Sequence, residues 1–147
     1  MLQCDSLGGM QTDESTCGTQ VPIQGGQGFW RDPGLPFVEI RHVVNSRTLC
    51  YAPHTHEQWS VGAIDRGSAH YRNGRVRAQI NAQSLTLINP GDVHACNPDQ
   101  QQDWSFRMLY LDVAWLREQQ HALGLASTAD VHMLAAPLCR SRDAYVA

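Results

Sequence analysis

No lysine occurs in the 147 residues, so all eleven basic side chains are arginines. They are scattered, and only Arg72, Arg75 and Arg77 gather, at what reads as a solvated hairpin tip. With a formal net charge of −3, the chain offers no basic face that could engage a phosphate backbone. Long apolar runs are also missing, and the N-terminus has no basic-then-apolar leader. A helical membrane span and a secretory signal are therefore not expected, and the chain reads as a cytoplasmic domain without a membrane partner. The five cysteines (Cys4, Cys17, Cys50, Cys96 and Cys139) are odd in number and form no Cys-x-x-Cys. That pattern predicts reduced thiols rather than a disulfide framework or a zinc knuckle. Gly-x-Ser-x-Gly elbows, phosphate loops and evident nucleophile–base pairs are lacking as well, which argues against an enzyme.

What remains is enough chain for one domain with a real core. Residues 1–28 are rich in Gly, Gln, Ser and Thr and read as a flexible N-terminal arm, tied down locally through Val21, Ile23, Phe29 and Trp30. Residues 29–124 form the expected folded unit. Strands are predicted over 37–44, 49–51, 54–65, 68–72, 75–80, 84–88, 93–96 and 104–111, with Asn73-Gly74 as a two-residue hairpin turn. Short strands with regular turn signals predict an all-β sandwich or small antiparallel barrel. Asp112 is a candidate N-cap for one short helix near the C-terminal end, with Trp115, Leu116, Gln119 and Leu123 on one face and Gly124 just beyond it. Residues 125–147 show no periodicity.

Chemistry concentrates between His54 and His94. In an extended strand, His54 and His56 share a face, and Gln58 and Ser60 follow with the same parity. His94 opens a strand after the Asn89-Pro90-Gly91-Asp92 turn. Three converging imidazoles could hold a divalent metal such as Zn, Ni or Fe, or line a polar ligand pocket. Arg41 and Arg107 lie within otherwise apolar strands and so need partners. Each is expected either to pair with an acid such as Glu39 or Asp112 or to await an anionic effector. Cys96 shares parity with His94 and reads as a small buried thiol.

The His54-Thr55-His56 pair, Gly67, and the Gly91 and His94 spacing resemble the two motifs of the cupin superfamily. Ser60 stands where that family usually has Glu, so the fourth, anionic metal ligand is missing. The longer block His54-Thr55-His56-Glu57-Gln58-Trp59-Ser60-Val61-Gly62, then Arg66-Gly67, then Leu85 through His94, resembles the N-terminal sensor domain of AraC/XylS-type transcription regulators. That resemblance implies a cupin-like antiparallel β-barrel, a double-stranded β-helix or jelly roll. It further implies binding of a small-molecule effector, a homodimer, and DNA contact only through a C-terminal helix-turn-helix domain that this chain does not contain. On it, residues 125–147 are the start of a linker. His54, His56, Gln58, Ser60, His94, Arg41 and Arg107 are the expected ligand contacts, with His54, His56 and His94 as possible metal ligands and no cofactor required. The alternative is a stand-alone, metal-dependent cupin enzyme, a dioxygenase or isomerase.

Overall fold

Alternating apolar and polar positions, interrupted by Gly, Pro and Asn, set the element order. The computed structural model describes residues 26–47, 49–99, 102–127 and 130–147. Among them run β1 (Gln27–Arg31), β2 (Val38–Ser46), β3 (Trp59–Arg66), β4 (Ser68–Asn73), β5 (Val76–Asn81), β6 (Leu85–Ile88), β7 (His94–Pro98), β8 (Trp104–Leu111), α1 (Val113–Ala122), β9 (Leu138–Cys139) and α2 (Arg142–Val146). All strand pairings are antiparallel. One sheet has the order β1-β2-β8-β3-β6-β9 and the other β5-β4-β7. This is the all-β antiparallel architecture expected, with α1 as the short helix.

The core lies between the two sheets. Val43, Ile64, Trp104 and Phe106 come from the larger sheet, and Ala69, Tyr71 and Ile80 from the smaller one. Strand register then stacks inward side chains in rows. Ser60 stands opposite Ile88 and Tyr110; Gly62 stands opposite Thr86 and Met108, with Arg41 beyond Met108; Ile64 stands opposite Phe106, with Val43 beyond it.

Several details depart from the sequence reading. Leu49–Tyr51 is not a strand, and the strand expected to start at His54 starts at Trp59. Pro53 interrupts the extended backbone there, and only a single bridge, His54 with His94, remains. The hairpin loop is Gly74-Arg75, because Asn73 already pairs with Val76. The arm expected over 1–28 lies outside the described residues as far as residue 25, and Gln27 and Gly28 belong to β1, paired with β2. Within 125–147, β9 pairs with β6, and the Tyr145 hydroxyl donates to the Ile64 carbonyl at 3.0 Å. Cys96 and Cys139 are free, whereas Cys50 is disulfide-bonded, so the expectation of reduced thiols fails at Cys50.

The helix begins as its cap residue dictates. Asp112 Oδ1 accepts the Trp115 amide at 2.8 Å, and Trp115 stacks on Phe37 with ring centroids 4.2 Å apart. Leu123, assigned to the packed face, is 72% exposed at the C-cap. Because α1 buries none of its residues fully, its stability leans on this cap. Asp112→Ala is expected to lower the unfolding free energy by about 1 kcal/mol, read as a shifted urea midpoint with unchanged slope.

Candidate functional site

Two backbone features bring the histidines together. Asn89 to Asp92 is a tight turn closed by the Asp92 amide donating to the Asn89 carbonyl at 3.1 Å, with Pro90 and Gly91 at its centre. Gly91 has φ 79, the left-handed value that the third position of a type II turn requires. Its amide donates to the His56 carbonyl at 3.0 Å, and His54 and His94 exchange two backbone hydrogen bonds of 3.0 Å. The His54–His56 segment is thereby fastened alongside the start of β7. The imidazole centroids lie 4.4 Å apart for His54 and His94, 4.8 Å for His56 and His94, and 6.4 Å for His54 and His56. The three rings do converge, although residues 55–58 form no strand.

Each ring is oriented in the same manner. Nδ1 of His54, His56 and His94 lies 2.9 Å from the carbonyl of Ala52, Gln58 and Asp92, respectively. A carbonyl only accepts, so these bonds assign the proton to Nδ1 and leave Nε2 as the lone-pair atom. At His56 that lone pair faces the Ser60 hydroxyl at 3.2 Å. Burial holds the His56 pKa below its usual value and pushes His94 down to about 4, with the neighbouring imidazoles adding to the effect. Both rings are neutral at pH 7.

Inward from the histidines lies a cavity of about 50 Å³. Arg41, Tyr51, His54, His94 and Tyr110 supply its polar lining, while Ile64, Ile88, Phe106, Met108 and Trp104 supply apolar wall. Among the described residues, none that lines it is Asp or Glu. Cys96 also lines it, and burial raises its thiol to about 12, so it stays protonated as a small core side chain. Gly62 lets Thr86 and Met108 pack closely on β3, because a Cβ there would collide with Thr86 Oγ1 and crowd the Met108 methyl.

The remaining expected contacts divide. Arg41 Nη2 donates to Gln27 Oε1 at 2.6 Å and to the Tyr51 hydroxyl at 2.9 Å. Ser60 is fully buried below His56. Gln58 is exposed and lines a separate, solvent-open groove with Asp112 and Arg31. Inward parity fails at Gln58 because the strand begins only at Trp59. Arg107 faces the opposite side of β8 from Phe106 and Met108 and makes a two-pronged pair with Asp65, rather than with Glu39 or Asp112. His70, His121 and His132 are exposed, as expected. Sequence reasoning missed Tyr51, Met108 and Tyr110. Alternation along β8 with Arg107 outward points to Met108 and Tyr110. Tyr51 had no such signal, since it sits on irregular backbone held by Asn97, whose side chain bonds both the Tyr51 amide (2.6 Å) and carbonyl (3.1 Å).

A metal at the three histidines finds partial support in the geometry. Carbonyl-anchored Nδ1 atoms are how metal-bound histidines are usually oriented. Yet among the described residues no three His, Cys, Asp or Glu side chains are placed to hold an ion.

Two antiparallel sheets closing on a histidine-lined cavity define a cupin-type double-stranded β-helix. Solved structures agree. A cupin protein from Bacteroides fragilis superposes with a TM-score of 0.58 at 14% identity, over 80% of this chain and 97% of that one. A Cupin 2 conserved barrel domain protein from Salinispora arenicola gives 0.53 at 14% identity, over 65% and 82%. At such identities the likeness shows the fold alone. No curated protein matches by sequence. The profile described as AraC-like ligand binding domain matches residues 36–144. The chain belongs to the family of AraC-like ligand binding domains.

Proposed function

We propose that this domain senses a small molecule held in the barrel cavity, with His54, His94 and Arg41 as polar contacts in its lining and His56 and Ser60 beside it, and performs no chemistry on it. The observation that carries this reading is the cavity itself, an apolar floor under a polar mouth that holds one arginine and, among the described residues, no carboxylate. Such a lining recognises and orients a ligand, whereas general acid–base work calls for a titrating group poised near neutrality. In this reading the domain is a cytoplasmic homodimer, and DNA is bound by a helix-turn-helix domain beyond this chain. Binding shifts the population between two arrangements of the domains attached to the barrel. Gln58 and Arg107 take no part in the contact. Among the described residues no helix is long and apolar enough to cross a membrane.

The test is thermal melting against a panel of small metabolites, with wild type and His56→Ala. A ligand at about one hundred times its Kd adds roughly 2.7 kcal/mol. The expected result is a clear, saturable rise in Tm that His56→Ala reduces or abolishes.

A second reading, a metal-dependent enzyme, is favoured by the three carbonyl-anchored imidazoles alone. Elemental analysis separates the two. Stoichiometric metal that is lost in His56→Ala, together with turnover of a substrate by the metal-loaded protein, would replace the sensing account.

A further inference from the structure

We propose that the molecule bound is a small carboxylate with an apolar body, its carboxylate received by the Arg41 guanidinium; this rests on the cavity being the effector site. An arginine is always charged, and the part of it that is withdrawn from water requires acceptors, best of all an anion; Arg41 is half-buried. Its hydrogen-bonded partners among the described residues, the Gln27 amide oxygen, the Tyr51 hydroxyl and the Tyr110 hydroxyl, are all neutral. Its Nε is buried and has no partner. Among the described residues the acids that the sequence offered are engaged elsewhere. Glu39 pairs with Arg31, Asp112 caps α1, and Asp65 pairs with Arg107.

The surroundings select for the same chemistry. Register puts Arg41 in one row with Met108, Gly62 and Thr86, and Thr86 and Met108, closely packed on Gly62, line the cavity beside Arg41. The aromatic rings of Tyr51, Phe29 and Phe106 stand 5.5 Å, 5.6 Å and 6.0 Å from the guanidinium carbon. Among the described residues the lining holds no Asp or Glu that would repel an anion or attract a cation. A carboxylate offers acceptors only, in the spacing that a guanidinium edge matches. The other walls are apolar and suit a hydrocarbon body. A water needs roughly 10–15 Å³ of such volume, so a cavity of about 50 Å³ admits a compact acid rather than a long-chain one.

The test uses butyrate, isovalerate and benzoate beside their primary amides, which keep shape and lose charge. A set of neutral polyols and small amines is included. Each is titrated into the full chain and its affinity read from the rise in Tm and from calorimetry. At least one acid is expected to bind ten-fold or more tighter than its amide. Arg41→Gln is expected to remove that preference, Arg41→Lys to keep part of it, and Arg107→Gln, on the outer face, to keep all of it. Should Arg41→Gln fail to fold, the acid–amide comparison in wild type and Arg41→Lys decides. Amides binding as well as acids, or neutral compounds binding where acids do not, would overturn the carboxylate assignment and leave the sensing function standing. If no compound of any charge binds, both fall.

Discussion

Trp104→Ala is expected to lower the unfolding free energy by about 3–5 kcal/mol, the range for truncating a buried large aromatic side chain. Trp104 is 1% exposed, belongs to the central cluster, and packs against Phe106 with ring centroids 5.9 Å apart. It also lines the cavity, so the truncation enlarges the space that Ile64 and Phe106 border. Loss of stability should therefore come with acceptance of bulkier ligands, and part of the loss should be recovered when such a ligand is added. Urea unfolding with and without an aromatic acid measures both. A cost below about 1 kcal/mol would mean that Trp104 is not the keystone of this core.

Acid should destabilise the metal-free domain through its buried histidines. Burial, and then the adjacent imidazoles, bring the His94 pKa from 6.5 to about 4, and His56 moves the same way. Between those values the unfolded chain takes up a proton at His94 that the folded chain refuses, so stability falls as pH drops through 6.5 and levels off near 4. A change of this size corresponds to roughly 3 kcal/mol for His94 as an upper figure. Asp99 and Asp103 are held below their ordinary carboxylate values, mainly by hydrogen bonds from Ser68 and Arg47, so they titrate below this window. His94→Asn keeps a donor for the Asp92 carbonyl and removes the titrating ring. Unfolding free energies at pH 7.5, 6.5, 5.5 and 4.5 should show a steep fall in EDTA-treated wild type and less than half of it in the variant. Equal slopes would show that His94 titrates normally.

Much of the fold was legible because its signals are local. β8 has the predicted limits, Trp104–Leu111, and Asp112 caps α1 as its side chain chemistry requires. The convergence of His54, His56 and His94 also followed from spacing, but for a different reason than parity along one strand. The bridge from His54 to His94 and the Gly91 amide on the His56 carbonyl bring the rings together. Such cross-chain hydrogen bonds leave no periodic trace. The same holds for Tyr51, fixed by Asn97 from 46 positions away, and for β9, a two-residue strand that exists only because β6 offers it an edge. Arg41 and Arg107 looked equivalent in sequence. They differ by one step of strand parity, which sends Arg41 to the cavity and Arg107 outward to Asp65.

Methionine methyl resonances test the central claim, a ligand inside the barrel, most directly. Met108 lines the cavity, whereas Met133 is 46% exposed and lies outside it. In protein labelled at the methionine methyl carbons, titration of a molecule that raises Tm should move the Met108 signal saturably and leave Met133 in place. A ligand that stabilises the domain while Met108 stays still and Met133 moves would place the binding site on the surface and contradict the account.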